Sequence, residues 1–300
     1  MADIKLYNLK PGKAKEIHGS DFKYEREIQK LCEVNMEVFF GIRFLASEHS
    51  TGNKHKGRID SLGLDENNCP VIIEYKLDSK ENVINQGLFY LDWLMDHQAD
   101  FELLCMRELK KSEIEIDWSN PRLLCIARDF TRYDDYAIAQ INRNIELIRY
   151  RLFDDDHIIF ELASSVQGST VVAAPSAEKA QHYRNMDDAL KAASKDLLAF
   201  YKEFEDYLFS LGDDVSKKEL KYYHAFTRIK NFVCVEVKTK KKQLMLFLKV
   251  DYNSIKDPTP NMRNVSNVGH YGTGDTEITI SDLEELEAIK PLIERSYTES

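Results

Sequence analysis

Two short segments decide how this sequence folds: residues 57–62, GRIDSL, and residues 71–76, VIIEYK. Both are rich in apolar and β-branched residues, which favour strands. The turn-forming residues DENN lie between them at positions 65–68. The sequence therefore predicts a β-hairpin.

The hairpin brings charged residues together. Side chains two apart on a strand share a face, so Glu74 and Lys76 project the same way. A hairpin centred on Asn67, midway between positions 60 and 74, places Asp60 opposite Glu74 on that face. We therefore expect two carboxylates and one ammonium group at one point of the sheet.

This grouping suits a hard divalent cation. Two nearby carboxylates resist ionisation unless a cation lies between them, and Mg²⁺ prefers oxygen ligands. A bound metal would activate water for phosphodiester hydrolysis, and Lys76 could position that water or stabilise charge on phosphorus. The alternative is that Asp60 caps a turn while Glu74 and Lys76 form a surface ion pair. The apolar residues 71–73 favour a buried strand, where charges are costly without a purpose.

Outward from the hairpin, helices alternate with strands in the order αβββαβαββ, which indicates an α/β fold with a mixed sheet and flanking helices. The predicted helices are 21–39, 81–98 and 134–148, and the predicted strands are 42–46, 58–64, 71–76, 122–127 and a pair within 148–162.

The chain divides into two predicted domains. Residues 1–162 form the α/β domain, and residues 163–182 lose periodicity and gain Ser, Gly and Ala, as a linker does. Residues 183–300 form a smaller α+β domain. Its predicted helices are 185–211 and one from 281, its predicted strands are 220–226, 232–238, 243–250 and 276–280, and a loop is predicted at 260–275.

Composition limits the possible functions. The longest apolar runs are far shorter than the roughly 20 residues that a membrane span needs, and residues near the N-terminus do not form the apolar core of a secretory signal. The five cysteines are scattered and never form a C-x-x-C pair, which favours a reducing cytoplasm over a thiolate metal site. A net charge of −10 disfavours non-specific coating of nucleic acid, although the run KHKGR at 54–58 is locally cationic.

The motif G-R-I-D, a hairpin, I-E-Y-K and a following helix with Gln86 and Tyr90 resembles the PD-(D/E)XK nuclease superfamily. It is most similar to the branch with NucS-like and RecB-like nuclease domains, although Ile59 replaces the usual proline. The resemblance covers residues 20–162 and implies a restriction-endonuclease-like fold, nuclease activity and Mg²⁺ or Mn²⁺ as cofactor. The catalytic residues that it implies are Asp60, Glu74, Lys76 and Gln86.

The same resemblance implies the metal ligands. They are the carboxylates of Asp60 and Glu74, the backbone carbonyl of Tyr75, and one glutamate of the first helix. Glu25, Gln29 and Glu33 share a helix face, which favours Glu25 or Glu33 for that role.

The C-terminal half resembles a domain of unknown function that follows nuclease-like domains in bacterial proteins, and this resemblance names no chemistry. The lysine run at 238–242 indicates a solvated turn or, alternatively, a phosphate-contacting patch. The loop with His270, Tyr271 and three glycines could hold a ligand, or it is simply a loop.

We expect a metal-dependent endonuclease in repair or defence that acts on DNA rather than RNA, resides in the cytoplasm, and forms a homodimer if it cuts both strands. The alternative is a non-catalytic module on a nuclease fold that binds nucleic acid or regulates. The two hypotheses differ in their response to metal.

Overall fold

The computed structural model describes residues 4–52, 56–77, 83–168 and 185–300. The chain forms two compact units. The predicted fold class is confirmed, because a mixed sheet with flanking helices is accompanied by a separate, smaller α+β unit. The first unit comprises Met1–Asp65, Cys69–Ile116 and Pro121–Ser169, and the second comprises Glu66–Asn68, Asp117–Asn120 and Thr170–Ser300.

The first unit contains nearly all the elements that the sequence predicts for residues 20–162, and several more. Its described helices and strands are β1 Leu6–Lys10, β2 Lys13–Ile17, β3 Gly19–Ser20, α1 Glu25–Val34, α2 Met36–Phe40, β4 Ile42–Ser50, β5 Arg58–Asp65, β6 Pro70–Lys76, α3 Val83–Asp96, α4 Gln98–Glu108, β7 Arg122–Ala127, α5 Arg132–Ile138, β8 Asn144–Phe153 and β9 His157–Val166.

The main sheet of the first unit has the order β3-β8-β7-β6-β5-β4. Strand β9 pairs with the edge of β8 that lies opposite β7. Strands β6, β7 and β8 run parallel, whereas β4, β5 and β6 form an antiparallel meander. Parallel strands are covered on both faces in α/β proteins. In agreement, β6 and β7 are buried along their whole length.

Helices cover both faces of this sheet. On one face, the α1 thiol of Cys32 contacts the side chain of Tyr75. On the other face, Gly87 of α3 lies so near Leu123 that a Cβ at position 87 would be 2.4 Å from the leucine Cδ1. Glu74 pairs in register with Cys125, two residues from Leu123, so Glu74 and α3 share a face.

Two predicted helices of the first unit were wrong in extent. The helix predicted for 21–39 is two helices broken at Asn35, and its first turn begins after Tyr24 rather than at residue 21. The helix predicted for 134–148 covers only Arg132–Ile138. Strand β8 starts at Asn144, because the apolar residues that follow pair with the buried strand β7.

Several elements of the first unit were not predicted from the sequence. The hairpin β1–β2, the short strand β3 and the helix α4 had not been predicted. Strand β4 continues to Ser50, four residues beyond its predicted end, through a segment that pairs with β5. The α4 sequence mixes charged and apolar residues with little periodicity, so pattern alone gives it a weak signal.

The second unit is built on an antiparallel sheet with the order β10-β11-β12-β13-β15-β14. Its described elements are α6 Met186–Lys191, α7 Lys195–Ser210, β10 Ser216–Glu219, β11 His224–Thr227, β12 Asn231–Lys238, β13 Gln243–Leu248, β14 Met262–Asn264, β15 Thr276–Ile280 and α8 Leu283–Glu299.

Three helices of the second unit pack with this sheet around one hydrophobic core. The core includes Phe204 of α7, Val235 of β12 and Ile293 of α8. The helix predicted for 185–211 is divided, because Ser194 caps a new helix by accepting a hydrogen bond from the Leu197 N–H. The strand predicted for 220–226 overlaps only β11, and β10 lies before it in a segment where no strand was predicted. The loop predicted for 260–275 contains β14.

The predicted linker, 163–182, begins inside strand β9, which continues to Val166. From residue 169 onward this segment lies outside the described residues. No helix among the described residues is long and apolar enough to cross a membrane. All five cysteines are buried free thiols.

Candidate active site

The hairpin of β5 and β6 brings Asp60 and Glu74 together as the sequence predicts. Backbone pairing between the strands runs from Leu64 opposite Pro70 to Ser61 opposite Ile73. The next position in this register is Asp60 opposite Glu74. The observed register is therefore the one that a turn centred on Asn67 requires.

At this position side-chain carboxylates accept the backbone N–H groups that link the two strands. The Asp60 N–H donates to Glu74 Oε1 at 3.2 Å, and the Tyr75 N–H donates to Asp60 Oδ2 at 3.0 Å. Each side chain therefore accepts a backbone N–H from the opposite strand. One oxygen of each carboxylate is fixed, and the other remains available to a ligand.

Glu74 is the most perturbed carboxyl group of this site. Its side chain is fully buried, and Oε2 has no hydrogen-bond partner among the described residues. Burial, and next the charge of Asp60, raise the pKa of Glu74 to about 9, although the Asp60 N–H and Lys76 act in the opposite direction. A buried carboxylate with an unsatisfied oxygen is costly, so Glu74 requires either a proton or a cation.

Asp60 is perturbed in the same direction but less. Burial raises the pKa of Asp60 to about 6, and the charges of Glu48 and Glu25 contribute to the increase. The N–H of Tyr75 and the ammonium of Lys76 lower the pKa. The two carboxyl groups therefore differ in proton affinity and form one electrostatic unit.

Lys76 lies at the end of β6 and is 9% exposed. Its Nζ donates to Glu25 Oε2 at 3.2 Å, and the Leu77 N–H donates to Glu25 Oε1 at 3.4 Å. Glu25, the first residue of α1, is thus placed beside the lysine and also acts on the pKa of Asp60. The structure brings Asp60, Glu74, Lys76 and Glu25 together.

The structure places Glu33 elsewhere. Its Oε1 accepts hydrogen bonds from Ser61 Oγ at 2.7 Å and from Gln29 Nε2 at 3.0 Å. Ser61 projects to the face opposite Asp60, because successive strand residues alternate. Of the two glutamates favoured by the helix pattern, Glu25 is near the carboxylate pair and Glu33 is not among the charges that perturb either carboxyl group.

Gln29 and Tyr75 hold the backbone around the carboxylates. Gln29 is buried, and its Nε2 donates to the backbone carbonyl of Asp60 at 2.9 Å. The Tyr75 side chain is buried on the α1 face, while its peptide unit lies between Glu74 and Lys76. The peptide unit whose carbonyl is the predicted ligand therefore lies between the two side chains in sequence, and the Tyr75 N–H contacts Asp60.

Gln86 and Tyr90 form a connected pair on α3. Gln86 Nε2 donates to the Tyr90 hydroxyl at 3.4 Å, and the same hydroxyl accepts the Arg58 N–H at 3.2 Å. Arg58 is two residues before Asp60. The Tyr90 ring also packs on Gly57, where a Cβ would lie 2.5 Å from the Tyr90 Cε1 atom. Gln86 is thus linked through Tyr90 to the backbone of β5, two residues before Asp60.

Glu48 was missed by the sequence analysis. It lies on β4 between Ser47, which pairs with Ser61, and His49, which pairs with Ile59, so it neighbours Asp60. Its backbone has a positive φ of 51°, its carboxylate forms an ion pair with Arg58, and its charge raises the pKa of both Asp60 and Glu74. Only the continuation of β4 to Ser50 would have revealed it.

The oxygen donors fit a hard cation such as Mg²⁺. Two carboxylates of raised pKa, one of them with an unpartnered buried oxygen, meet on adjacent strands. Among the described residues, no group of three or more His, Cys, Asp or Glu is arranged to hold a metal ion. Mg²⁺ is usually held by one or two carboxylates with water and substrate oxygens, so a two-carboxylate site suits it better than an all-protein cage.

The two candidate features of the C-terminal unit, the lysine run and the loop with His270, lie in a turn and against a buried ring. The lysine run at 238–242 covers the end of β12 and the turn into β13, and Lys238 is paired with Glu236. His270 stacks on the buried ring of Phe247 with 4.4 Å between ring centroids. These contacts describe a turn and a packed loop.

The fold and the site together define a mixed α/β protein with a buried acidic pair and a lysine on adjacent strands. Residues 186–300 match a domain of unknown function, DUF5655. The chain is 30% identical over 305 residues to an uncharacterized protein of Haemophilus influenzae, and the match covers 98% of this chain and 99% of that relative. The chain therefore belongs to the same family as this bacterial protein. No solved structure matches the chain.

Proposed function

We propose that this protein is a metal-dependent nuclease that hydrolyses phosphodiester bonds, with DNA as substrate and a role in repair or defence. The observation that supports the proposal is the meeting of Asp60 and Glu74 on β5 and β6, beside Lys76. The PD-(D/E)XK resemblance, which attributes catalysis to these same residues, adds to it.

Asp60 and Glu74 would hold Mg²⁺ or Mn²⁺ through the carboxylate oxygens that the two backbone bonds leave available, with the Tyr75 carbonyl and Glu25 as further oxygen donors. A divalent cation bound here supplies charge neutralisation at the phosphate and an acidified water. The protein supplies the fixed geometry, because each carboxylate is tied to the opposite strand by a backbone N–H.

Lys76 acts on the substrate. Its ammonium is anchored at the end of a buried strand and is held by Glu25, so it offers a compact, oriented donor. Such a donor stabilises the charge that develops on a phosphoryl oxygen, or orients the attacking water. Glu25 holds the lysine ammonium in position.

Gln29, Gln86 and Tyr90 are proposed as positioning residues. Gln29 binds the carbonyl of Asp60, and Tyr90 binds the N–H of Arg58. Both contacts fix the start of β5, and displacement of a reacting group by about 1 Å can cost 10²-fold in rate. A reducing cytoplasm agrees with five free thiols, and a homodimer would allow cleavage of both DNA strands.

The test is a cleavage assay on single- and double-stranded DNA with Mg²⁺ or Mn²⁺. Asp60→Asn, Glu74→Gln and Lys76→Met keep side-chain size while changing charge, and each should reduce the rate at least about 10²-fold. Asp92→Asn is the matched control, because Asp92 is an exposed residue of α3 and its loss should leave cleavage unchanged.

Circular dichroism on every variant checks that the fold is retained. Cleavage that needs a divalent cation and is lost in all three site variants supports the proposal. A wild-type protein that binds DNA with the same affinity with and without metal, yet cuts no substrate, would contradict it. The chain would then be a non-catalytic binding or regulatory module.

A further inference from the structure

The N-terminal hairpin is a separate feature of the first unit. Strands β1 and β2 pair with each other in a two-stranded sheet that is distinct from the main sheet. The connecting residues are Pro11 and Gly12, and Gly12 has a φ of +77°. Proline followed by a glycine of positive φ is the signature of a type II turn. The turn therefore fixes a tight two-residue loop.

The hairpin is exposed along almost its whole length. Residues 7–15 are all exposed, and burial begins only near Leu6 and Ile17 at its base. A two-stranded hairpin in water is marginally stable unless it packs against something. An exposed ribbon of this kind suits a surface that contacts a partner.

One face of the ribbon is basic. In the register Leu6 opposite Ile17, residues facing one another share a side of the ribbon. Asn8, Lys10, Lys13 and Lys15 therefore lie on the same side. Lys5 and Glu16 form an ion pair at 3.4 Å, but within the part of the chain that the structure describes no carboxylate pairs with Lys10, Lys13 or Lys15.

The positive charge of the hairpin contrasts with the net charge of the whole chain. The net charge of the protein is −10, yet residues 4–17 carry four lysines and a single glutamate. Potentials of this kind act locally, so a basic ribbon on an acidic protein attracts a polyanion to one place.

The base of the ribbon lies at the end of the sheet that carries the candidate active site. Strand β3, which follows the hairpin directly, pairs with Leu152 and Phe153 of β8. One edge of β8 is occupied by β9, so β3 pairs with the same edge as β7. The pairing of β8 with β7 ends at Arg149, and β3 lies beyond that residue. Strands β6 and β7 run parallel, and Lys76 is in register with Ala127 at the same end.

We propose that the β1–β2 hairpin is a DNA-binding ribbon whose lysine face, Lys10, Lys13 and Lys15, contacts the phosphate backbone of duplex DNA and delivers the duplex to the carboxylate site. This inference rests on the proposed nuclease function for the choice of partner. The major groove of B-form DNA is about 12 Å wide and admits a two-stranded β-ribbon. Lysine ammonium groups bind phosphates without reading sequence.

The experiment measures DNA affinity by fluorescence anisotropy with a labelled duplex over a series of salt concentrations. All proteins carry Asp60→Asn so that cleavage does not interfere. The triple variant Lys10→Gln, Lys13→Gln and Lys15→Gln is compared with Lys240→Gln, Lys241→Gln and Lys242→Gln. The control removes the same charge from the exposed β12–β13 turn.

We expect the hairpin variant to bind about 10- to 100-fold more weakly at low salt, and the slope of log affinity against log salt to fall by about 2 to 3 units, about one for each lost phosphate contact. The control variant should change affinity less than about twofold. Equal effects of the two triple variants, or no effect of the hairpin variant, would overturn the ribbon.

An RNA duplex of the same sequence tests the groove. A-form RNA has a deep, narrow major groove that does not admit a ribbon, so we expect weaker binding with less dependence on the hairpin lysines. Equal binding of the RNA duplex would overturn the ribbon arrangement.

The cleavage assay separates the two proposals. Metal-dependent cutting with unchanged affinity in the hairpin variant leaves the nuclease standing and removes the ribbon. If the wild type binds DNA through the hairpin lysines but cuts no substrate, the ribbon is supported and the nuclease proposal is contradicted.

Discussion

The main sheet of the first unit buries acidic side chains in two places, and it treats them differently. At one end of β5, Asp65 shares the guanidinium of Arg122 with Glu146, through three bonds of 2.8–2.9 Å. At the other end, Asp60 and Glu74 face each other.

The two places differ in how much charge is compensated. Burial of the Arg122 cluster is matched by charge-assisted bonds, and its carboxylates raise the pKa of the arginine. At the Asp60 and Glu74 pair, burial raises the pKa of both carboxyl groups despite the nearby Lys76. The carboxylates of the first cluster share a buried guanidinium, whereas Glu74 must hold a proton or bind a cation, as the proposed metal site requires.

The largest expected effect breaks the compensated cluster. Arg122→Met removes the guanidinium that bridges two buried carboxylates, Asp65 and Glu146, so we expect the free energy of unfolding to fall by about 3–5 kcal/mol. Urea denaturation at pH 7 measures it. Arg128→Met, which removes only an exposed pair with Asp21, is the control and should cost less than about 1 kcal/mol. Equal costs would show that the buried triad does not hold the sheet.

The same substitution at the two clusters should have opposite signs. Glu146→Gln weakens a buried ion pair and should destabilise the protein. Glu74→Gln removes a carboxyl group that is costly to ionise, so it should stabilise the protein above neutral pH. If both variants are destabilised at pH 8, our inference that the Glu74 carboxyl group is uncompensated is wrong.

The pH dependence follows from the direction of the shift. The pKa of Glu74 rises from 4.5 to about 9 on folding, so its contribution to stability is complete below pH 4.5 and is lost as pH rises through 9. We expect the wild type without divalent cations to lose roughly 2–4 kcal/mol more than Glu74→Gln between pH 5 and pH 8. Thermal melts at both pH values, in the presence of EDTA, measure the difference.

Divalent cations should stabilise only the uncompensated cluster. At a Mg²⁺ or Mn²⁺ concentration 100 times the Kd, the free energy of unfolding should rise by about 2.7 kcal/mol. At one fixed metal concentration the gain should be larger at pH 8 than at pH 6, because the ion must displace the proton of Glu74 and the Kd is therefore higher at pH 6. Thermal melts of Glu146→Gln should keep the gain, and those of Asp60→Asn should lose it. Equal gains in all variants would indicate metal binding elsewhere.

Much of the fold was predictable because hydrophobic pattern reflects burial. The runs at 71–76 and 122–127 become β6 and β7, which are buried on both faces. The boundaries near 134–148 were not predictable from periodicity, since β8 is fixed by its pairing with β7 and β9. The β1–β2 hairpin escaped notice because an exposed ribbon has little apolar pattern, although its Pro-Gly turn was a usable signal.

The site was predictable to the extent that it depends on local register. A turn centred on Asn67 brings Asp60 to Glu74, and sequence spacing contains that information. The choice between Glu25 and Glu33 was not, because it depends on how α1 crosses the sheet. Glu48 depends on the pairing of β4 with β5 and on a local positive φ.

The smallest expected effect concerns the start of β5, where the neutral Tyr90 hydroxyl binds the Arg58 N–H, in contrast to the ionic bonds at Asp65. Tyr90→Phe removes the acceptor for the Arg58 N–H and should cost about 0.5–1.5 kcal/mol in unfolding, with a larger proportional loss of cleavage rate. Gln86→Ala should lower the rate less, because among the described residues the Tyr90 hydroxyl is the one hydrogen-bond partner of Gln86. In the Tyr90→Phe background, Gln86→Ala should therefore add nothing. A further loss in the double variant would mean that Gln86 acts on the substrate directly, and that this end of the sheet is organised by its ligand as well as by its neighbours.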